Sequence, residues 1–114
     1  MSDCLFCRVV AGDVPSDQVA AGQRTYAFRD INPTAPTHVL VVPREHIASA
    51  DDVGAEHAQT LGEMFETAQA VARSEGIAER GDRLVLNVGD DALNSVPHLH
   101  MHVIGGRRME WPPG

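Results

Sequence analysis

The 114-residue sequence predicts an α+β domain built on a mainly antiparallel sheet. Two observations point there. Short strand-like runs follow one another across brief connections, and one long amphipathic helix interrupts them. Repeated β-α-β units would instead alternate the two elements throughout. Neither an internal repeat nor a linker divides the chain, so residues 1–114 are expected to form a single domain with one core.

Taken in order, residues 4–11 fit a short helix or turn closed by Gly12 and followed by Pro15. Residues 18–20 fit a short strand ending at Gly22. Residues 25–29 alternate their larger apolar side chains and predict a strand, stopped by Asp30-Ile31-Asn32-Pro33. Residues 38–43, His-Val-Leu-Val-Val-Pro, are a β-branched run suited to a buried central strand. The helix is expected from about Gly54 to Glu75. There Ala58, Leu61, Phe65, Ala68 and Ala72 step by three or four, with Met64 and Val71 widening the stripe. Asp51 and Asp52 favour the positive end of its dipole, and Gly76 is a natural stop. His57, on this helix, reads as a solvated side chain. Residues 83–88 and 98–104 predict two further strands, the last ending at Gly105-Gly106.

Composition narrows the function. The chain is 43% hydrophobic but only 4% aromatic, so its core must rest on Val, Leu, Ile, Ala and Met. A formal charge of −7 argues against long nucleic acids, whose capture draws on clustered basic residues; a small nucleotide needs only a few local donors. No stretch approaches the roughly 20 apolar residues that span a bilayer. Met1-Ser2-Asp3-Cys4 lacks a basic region followed by an apolar segment, so a cytoplasmic location is expected. In a reducing compartment a disulfide between Cys4 and Cys7 is not expected, which leaves metal ligation or redox chemistry. The latter lacks the β-α-β pattern of a thioredoxin-like motif.

The chemistry concentrates in residues 98–104, His-Leu-His-Met-His-Val-Ile. On a strand, side chains alternate faces, so His98, His100 and His102 would share one face about 6–7 Å apart, with Leu99, Met101 and Val103 turned to the core. A phosphate could touch two of these imidazoles while the third serves otherwise. All three span too far to ligate one ion, although two could with a further ligand. Imidazole is a nucleophile when neutral and a phosphate-pairing donor when charged, which suits phosphorus chemistry near neutral pH.

This run resembles the signature of the histidine-triad (HIT) superfamily, His-φ-His-φ-His-φ-φ with φ apolar. The tail from Gly105 to Gly114, Gly-Gly-Arg-Arg-Met-Glu-Trp-Pro-Pro-Gly, is similar to that of the Hint branch, the purine nucleoside phosphoramidases. Asp30-Ile31-Asn32-Pro33 and Ala35-Pro36-Thr37-His38 resemble the same branch upstream. The resemblance implies a five-stranded antiparallel sheet with one long and one short helix, two copies joining as a homodimer with a ten-stranded sheet. It implies hydrolysis or transfer at the α-phosphorus of purine nucleoside monophosphate derivatives such as phosphoramidates and aminoacyl adenylates. His100 would attack, giving a nucleotidyl-histidine that water resolves, and His102 would hydrogen-bond the phosphate. Ser95 would sit near the leaving group, Asn87 would bind phosphate or ribose oxygens, and Asp30 and Ile31 would contact ribose and base. His38 would orient His100 from beside the triad.

Two departures fall near the expected phosphate site. Leu93-Asn94-Ser95 stands where Hint proteins commonly have Gly-Gln-Ser; a Leu at 93 resists positive φ and narrows the approach of backbone amides to phosphate. Pro97 replaces the usual aromatic before the triad. Bacterial relatives in this superfamily with an N-terminal Cys-x-x-Cys often bind structural zinc, and the matching ligands here are Cys4, Cys7, His46 and His98. Two thiolates and two imidazoles would make a closed, structural site and would withdraw His98 from acid–base work. The competing readings are dinucleoside polyphosphate hydrolysis of the Fhit type, and a nucleotide-binding module with vestigial catalysis.

Overall fold

In the computed structural model, residues 3–114 are described; Met1 and Ser2, part of the N-terminal segment read above, lie outside them. Helix α1 spans Leu5–Ala11 and is followed by strands β1 Gln18–Ala21, β2 Thr25–Arg29 and β3 Thr37–Pro43. Helix α2 spans Ala58–Ser74, and strands β4 Asp82–Val85 and β5 Met101–Gly105 complete the fold. The five strands form one sheet in the order β1-β2-β3-β5-β4, with every neighbouring pair antiparallel. Because β5 lies antiparallel to both β3 and β4, those two run parallel with β5 between them, and α2 makes the crossover.

Alternation along the strands separates two cores. Ala27, Val39, Val41, Met101 and Val103 pack with Met64, Ala68, Val71 and Ala72 of α2. Their chain neighbours Phe28, Leu40 and Val42 turn the other way, onto Phe6 and Val9 of α1. The sheet is thus covered on both sides, which is why all seven residues of β3 are buried and why its residues 39–43 read as an unbroken apolar run.

Three boundaries differ from the sequence expectation by more than one residue. β4 stops at Val85 rather than Val88, because the chain leaves the sheet toward the loop that holds Ser95. β5 starts at Met101 rather than His98; residues 98–100 approach in irregular extension, with the Leu99 amide donating to the Ile47 carbonyl instead of a strand ladder. The long helix begins at Ala58, after short 3-10 turns over Ala50–Asp52 and Ala55–His57. His57 is not simply solvated: its Nδ1 accepts the Gly54 N–H at 2.9 Å, satisfying a donor ahead of the helix. The buried stripe of α2 is also rotated, with Met64, Ala68, Val71 and Ala72 inward and Phe65 47% exposed.

The C-terminus of α2 is tied to the sheet by charge. Arg29 at the end of β2 makes bidentate hydrogen bonds to Glu75, at 2.7 and 2.9 Å, and Thr37 donates to the same carboxylate. These bonds, the Arg29 pairing first, hold the Glu75 carboxyl below its usual range. Because its folded-state pKa is depressed, the stabilisation is present above the ordinary carboxylate pKa and is lost as pH falls through the folded value. Glu75→Gln should therefore cost about 1–2 kcal/mol at neutral pH, and the deficit should shrink as both proteins are denatured at progressively lower pH.

Candidate active site

Four histidines occupy the region between α1, β3 and β5, and rigid backbone groups dictate the proton position on three of them and, through His38, on the fourth, His102. A carbonyl only accepts and an amide N–H only donates, so each such contact assigns one ring nitrogen. His100 Nδ1 lies 2.7 Å from the carbonyl of His98 and must donate to it. That leaves the His100 Nε2 lone pair available as a nucleophile. His38 Nδ1 accepts the Thr34 N–H at 3.1 Å, which puts the His38 proton on Nε2. His38 Nε2 then donates to His102 Nδ1 at 2.8 Å. His102 in consequence carries its proton on Nε2, a buried atom with no hydrogen-bond partner among the described residues. An unsatisfied donor in such a place is costly unless something accepts from it.

Burial pushes the His102 imidazole down to about 4, with repulsion from His100 and His38 adding to it and Asp30 opposing. His102 is accordingly a neutral donor at pH 7. Asp30 is fixed in turn: its Oδ1 accepts the Asn32 N–H at 2.8 Å, while its Oδ2 stands 3.4 Å from His38 Nε2. The sequence expectation that His38 orients His100 is corrected here. His38 touches His102, and the group that holds His100 is the neighbouring carbonyl of His98.

His100 and His102 open onto a cavity of about 620 Å³. Ser95, Asp30 and Ile31 line it, as the sequence suggests, and so does Asn32, which sequence reasoning missed. Its apolar wall is formed by Leu5, Phe6 and Val9 of α1 with Val14, Phe28 and Leu40. Phe6 meets the His100 ring edge-on, with centroids 5.1 Å apart. The short N-terminal helix was legible in sequence, but nothing in its pattern revealed that it faces the histidines. Arg29 reaches the rim, yet its guanidinium is committed to Glu75. Asn87, Leu93 and Asn94 are not among the lining residues. Leu93 adopts φ 62° despite its side chain, which costs about 1 kcal/mol relative to glycine, and points 83% exposed into solvent. Trp111 is likewise 82% exposed.

A second cluster stands behind the first. Cys4 Sγ lies 3.2 Å and Cys7 Sγ 3.4 Å from His98 Nδ1, and Cys7 Sγ is 3.4 Å from His46 Nδ1. All four donor atoms fall within 4.8 Å of one another. A tetrahedral zinc ion, with bonds of about 2.0–2.3 Å, would set such donors about 3.3–3.8 Å apart, so the cluster fits one. His98 is fully buried, and its Nε2 donates to the Pro43 carbonyl at 2.9 Å. The remaining lone pair on Nδ1 therefore faces the thiols, the usual arrangement of a metal-bound histidine braced by a backbone acceptor.

The depressed pKa of His102 has a consequence for stability. In the unfolded chain this imidazole takes up its proton near pH 6.5, whereas in the folded protein it resists protonation until about 4. The unfolded state thus binds more protons in that window, and the thermal midpoint should fall as pH drops through it. His102→Asn should flatten this part of the profile, as read by thermal denaturation between pH 4 and 7.

The family model of the HIT domain matches residues 11–109. A purine nucleoside phosphoramidase of Escherichia coli (strain K12) is 44% identical over 105 residues, spanning 92% of this chain and 88% of that protein. A 14 kDa zinc-binding protein of Zea mays is 40% identical over 118 residues, covering 99% of this chain and 89% of that protein. Among solved structures, a HIT family hydrolase from Legionella pneumophila superposes with a TM-score of 0.96 at 43% identity, covering 98% of this chain and 100% of that one. The triad geometry, the fold and these likenesses agree: the chain belongs to the HIT domain family and is a HIT-family hydrolase.

Proposed function

We propose that this hydrolase acts at the α-phosphorus of purine nucleoside monophosphate derivatives, phosphoramidates and aminoacyl adenylates among them, through a nucleotidyl-His100 intermediate. The observation that carries this is the pairing of an exposed lone pair on His100 Nε2 with an unsatisfied N–H on His102 Nε2 at one cavity. In the first step His100 Nε2 bonds to phosphorus as the P–N or P–O bond to the leaving group breaks. His102 donates to a non-bridging oxygen throughout, and Ser95 at the cavity rim supplies the proton that a leaving amine needs. In the second step water bonds to phosphorus, the P–His100 bond breaks, and the water's proton returns to Ser95 or solvent. The apolar wall suits a purine base, and Asp30 and Asn32 suit the ribose hydroxyls. The name of the Escherichia coli relative supports the substrate class.

Cys4, Cys7, His46 and His98 would hold zinc in a structural role, supported by their geometry and by the name of the Zea mays relative. The metal when bound supplies a rigid crosslink between α1 and the triad segment, with no position open to substrate. A homodimer is supported by the edge position of β4 in the sheet, where Leu84 and, just past the strand, Leu86 are 40% and 42% exposed and Leu84 shares a groove with Ala68 and Ala72 of α2. No helix among the described residues is long and apolar enough to cross a membrane, and the thiol cluster suits a reducing cytoplasm.

His100→Ala should lower turnover of an adenosine phosphoramidate by at least about 10³-fold while AMP still binds with an affinity within a few-fold. Near-normal turnover of this variant would exclude His100 as nucleophile. Elemental analysis of untagged protein should find about one zinc per chain, lost in the Cys4→Ser/Cys7→Ser double variant together with several degrees of thermal stability.

A further inference from the structure

We infer that Thr34 and Arg107, neither of which reaches the cavity, are positioning residues that set the protonation pattern of the phosphate-binding histidine. The inference rests on the reaction proposed above for its functional consequence, but its structural core is independent of any substrate.

The proton on His102 Nε2 is decided two residues away. His102 can present Nε2–H to the cavity only while its Nδ1 accepts, and the donor to Nδ1 is His38 Nε2 at 2.8 Å. His38 can donate there only while its own Nδ1 accepts, and that atom faces the Thr34 amide at 3.1 Å with the Thr34 hydroxyl at 3.3 Å. A proton on His38 Nδ1 would oppose the fixed Thr34 N–H, so only one tautomer fits. The chain of donors therefore runs Thr34 N–H, His38, His102, and ends at the cavity. Without the first member, only Asp30 Oδ2, 3.4 Å from His38 Nε2, would still favour that tautomer; His38 could then also hold its proton on Nδ1, and His102 would in that state lose the acceptor role that keeps its own proton facing outward.

Thr34 sits between Pro33 and Ala35-Pro36 in the turn entering β3, so its amide has no sheet partner to hold it in place. The tail after β5 supplies the brace. Arg107 Nε donates to the Thr34 carbonyl at 3.0 Å, on the opposite side of the residue from the amide bond to His38. Gly106, at φ 93°, lets the tail close on this turn: a Cβ there would come within 2.9 Å of Pro36 Cβ. Arg107 has no carboxylate partner among the described ion pairs, although acidic residues outnumber basic ones 16 to 9. Its planar guanidinium is spent on backbone carbonyls, those of Thr34 and Arg108.

The test uses the full-length, metal-replete protein with 15N-labelled histidine. Long-range 1H–15N correlation reads which nitrogen of His38 and His102 carries hydrogen, which a merely structural role would not alter. Wild type should show Nε2–H at both. Replacing the Thr34 amide by an ester, with the α-hydroxy acid analogue of threonine, should mix the tautomers of both rings and lower kcat/KM for an adenosine phosphoramidate by about tenfold or more. Arg107→Ala should move the same nitrogen signals in the same direction with a loss of about threefold to tenfold, and Arg107→Lys, which can still donate to the carbonyl, should recover most of it. If the ester variant does not fold, the two Arg107 variants decide the matter. Unchanged nitrogen signals in the folded variants overturn the proposal whatever the activity, and shifted signals with undiminished turnover overturn it as well. A protein inactive on every phosphoramidate would instead defeat the proposed reaction while leaving the tautomer measurement intact.

Discussion

The chemistry of this fold depends on backbone groups that cannot change their hydrogen-bonding sense. The Pro43 carbonyl, the His98 carbonyl and the Thr34 amide each meet one imidazole nitrogen, and together they leave each ring a single role. His98 keeps a lone pair for the thiol cluster, His100 keeps one for the cavity, and His102 is left with an outward N–H. A free imidazole exchanges its proton between nitrogens with little preference. Here the choice is made by the strand ends and turn that carry those groups, so the site is prepared before substrate arrives.

Under the proposed reaction, that preparation also answers how a protein of net charge −7 would handle a phosphate. Among the described residues no uncommitted guanidinium lines the cavity; Arg29 at its rim is bound to Glu75. A neutral N–H in a partly buried site is a weaker attraction than a cation but is desolvated and correctly aimed. In the proposed reaction it would favour the phosphorus centre as charge develops there more than tight ground-state binding. The burial that lowers the His102 pKa is thus compatible with the role assigned to it, since protonation is not required for donation.

Much of this was legible in the sequence, and what was not has a physical reason. The five strands and the long helix follow from local pattern, because each is encoded in contiguous residues; the gathering of Cys4 and Cys7 with His46 and His98, which are distant in sequence, came from the family resemblance. The alternation rule reached the right grouping of His100 and His102 on a partly wrong premise, since β5 begins only at Met101. His98 departs from the catalytic face because residues 98–100 are not held by a ladder on both sides and are free to turn its ring toward Cys4 and Cys7. Misplacing His38 against His100 came from sequence proximity to the family pattern rather than register: β3 pairs Leu40 with His102, and this puts His38 diagonal to His102 on the same face. The Thr34–Arg107 contact joins residues 73 positions apart through a side chain and a carbonyl, a pairing that no local signal could announce.

Helix α1 shows how the two clusters become one device. Seven residues are too few for a helix to persist in water on its own; Cys4, whose Sγ accepts the Cys7 N–H, caps its start, and Gly12 at φ 86° with the Asp13 amide satisfies its last carbonyls. Its place is secured from two sides. Cys4 and Cys7 join it to His46 and His98, while Phe6 and Val9 join it to Phe28, Leu40 and Val42. Phe6 contacts both His98 and His100, at centroid separations of 6.0 and 5.1 Å. The same short element therefore closes the thiol–imidazole cluster, walls the cavity and packs against His100. His98 is the common member: its ring belongs to the cluster and its carbonyl holds His100, so whatever fixes that ring also fixes the lone pair next to it. His98 thus serves the cluster with its ring and fixes the orientation of His100 with its backbone.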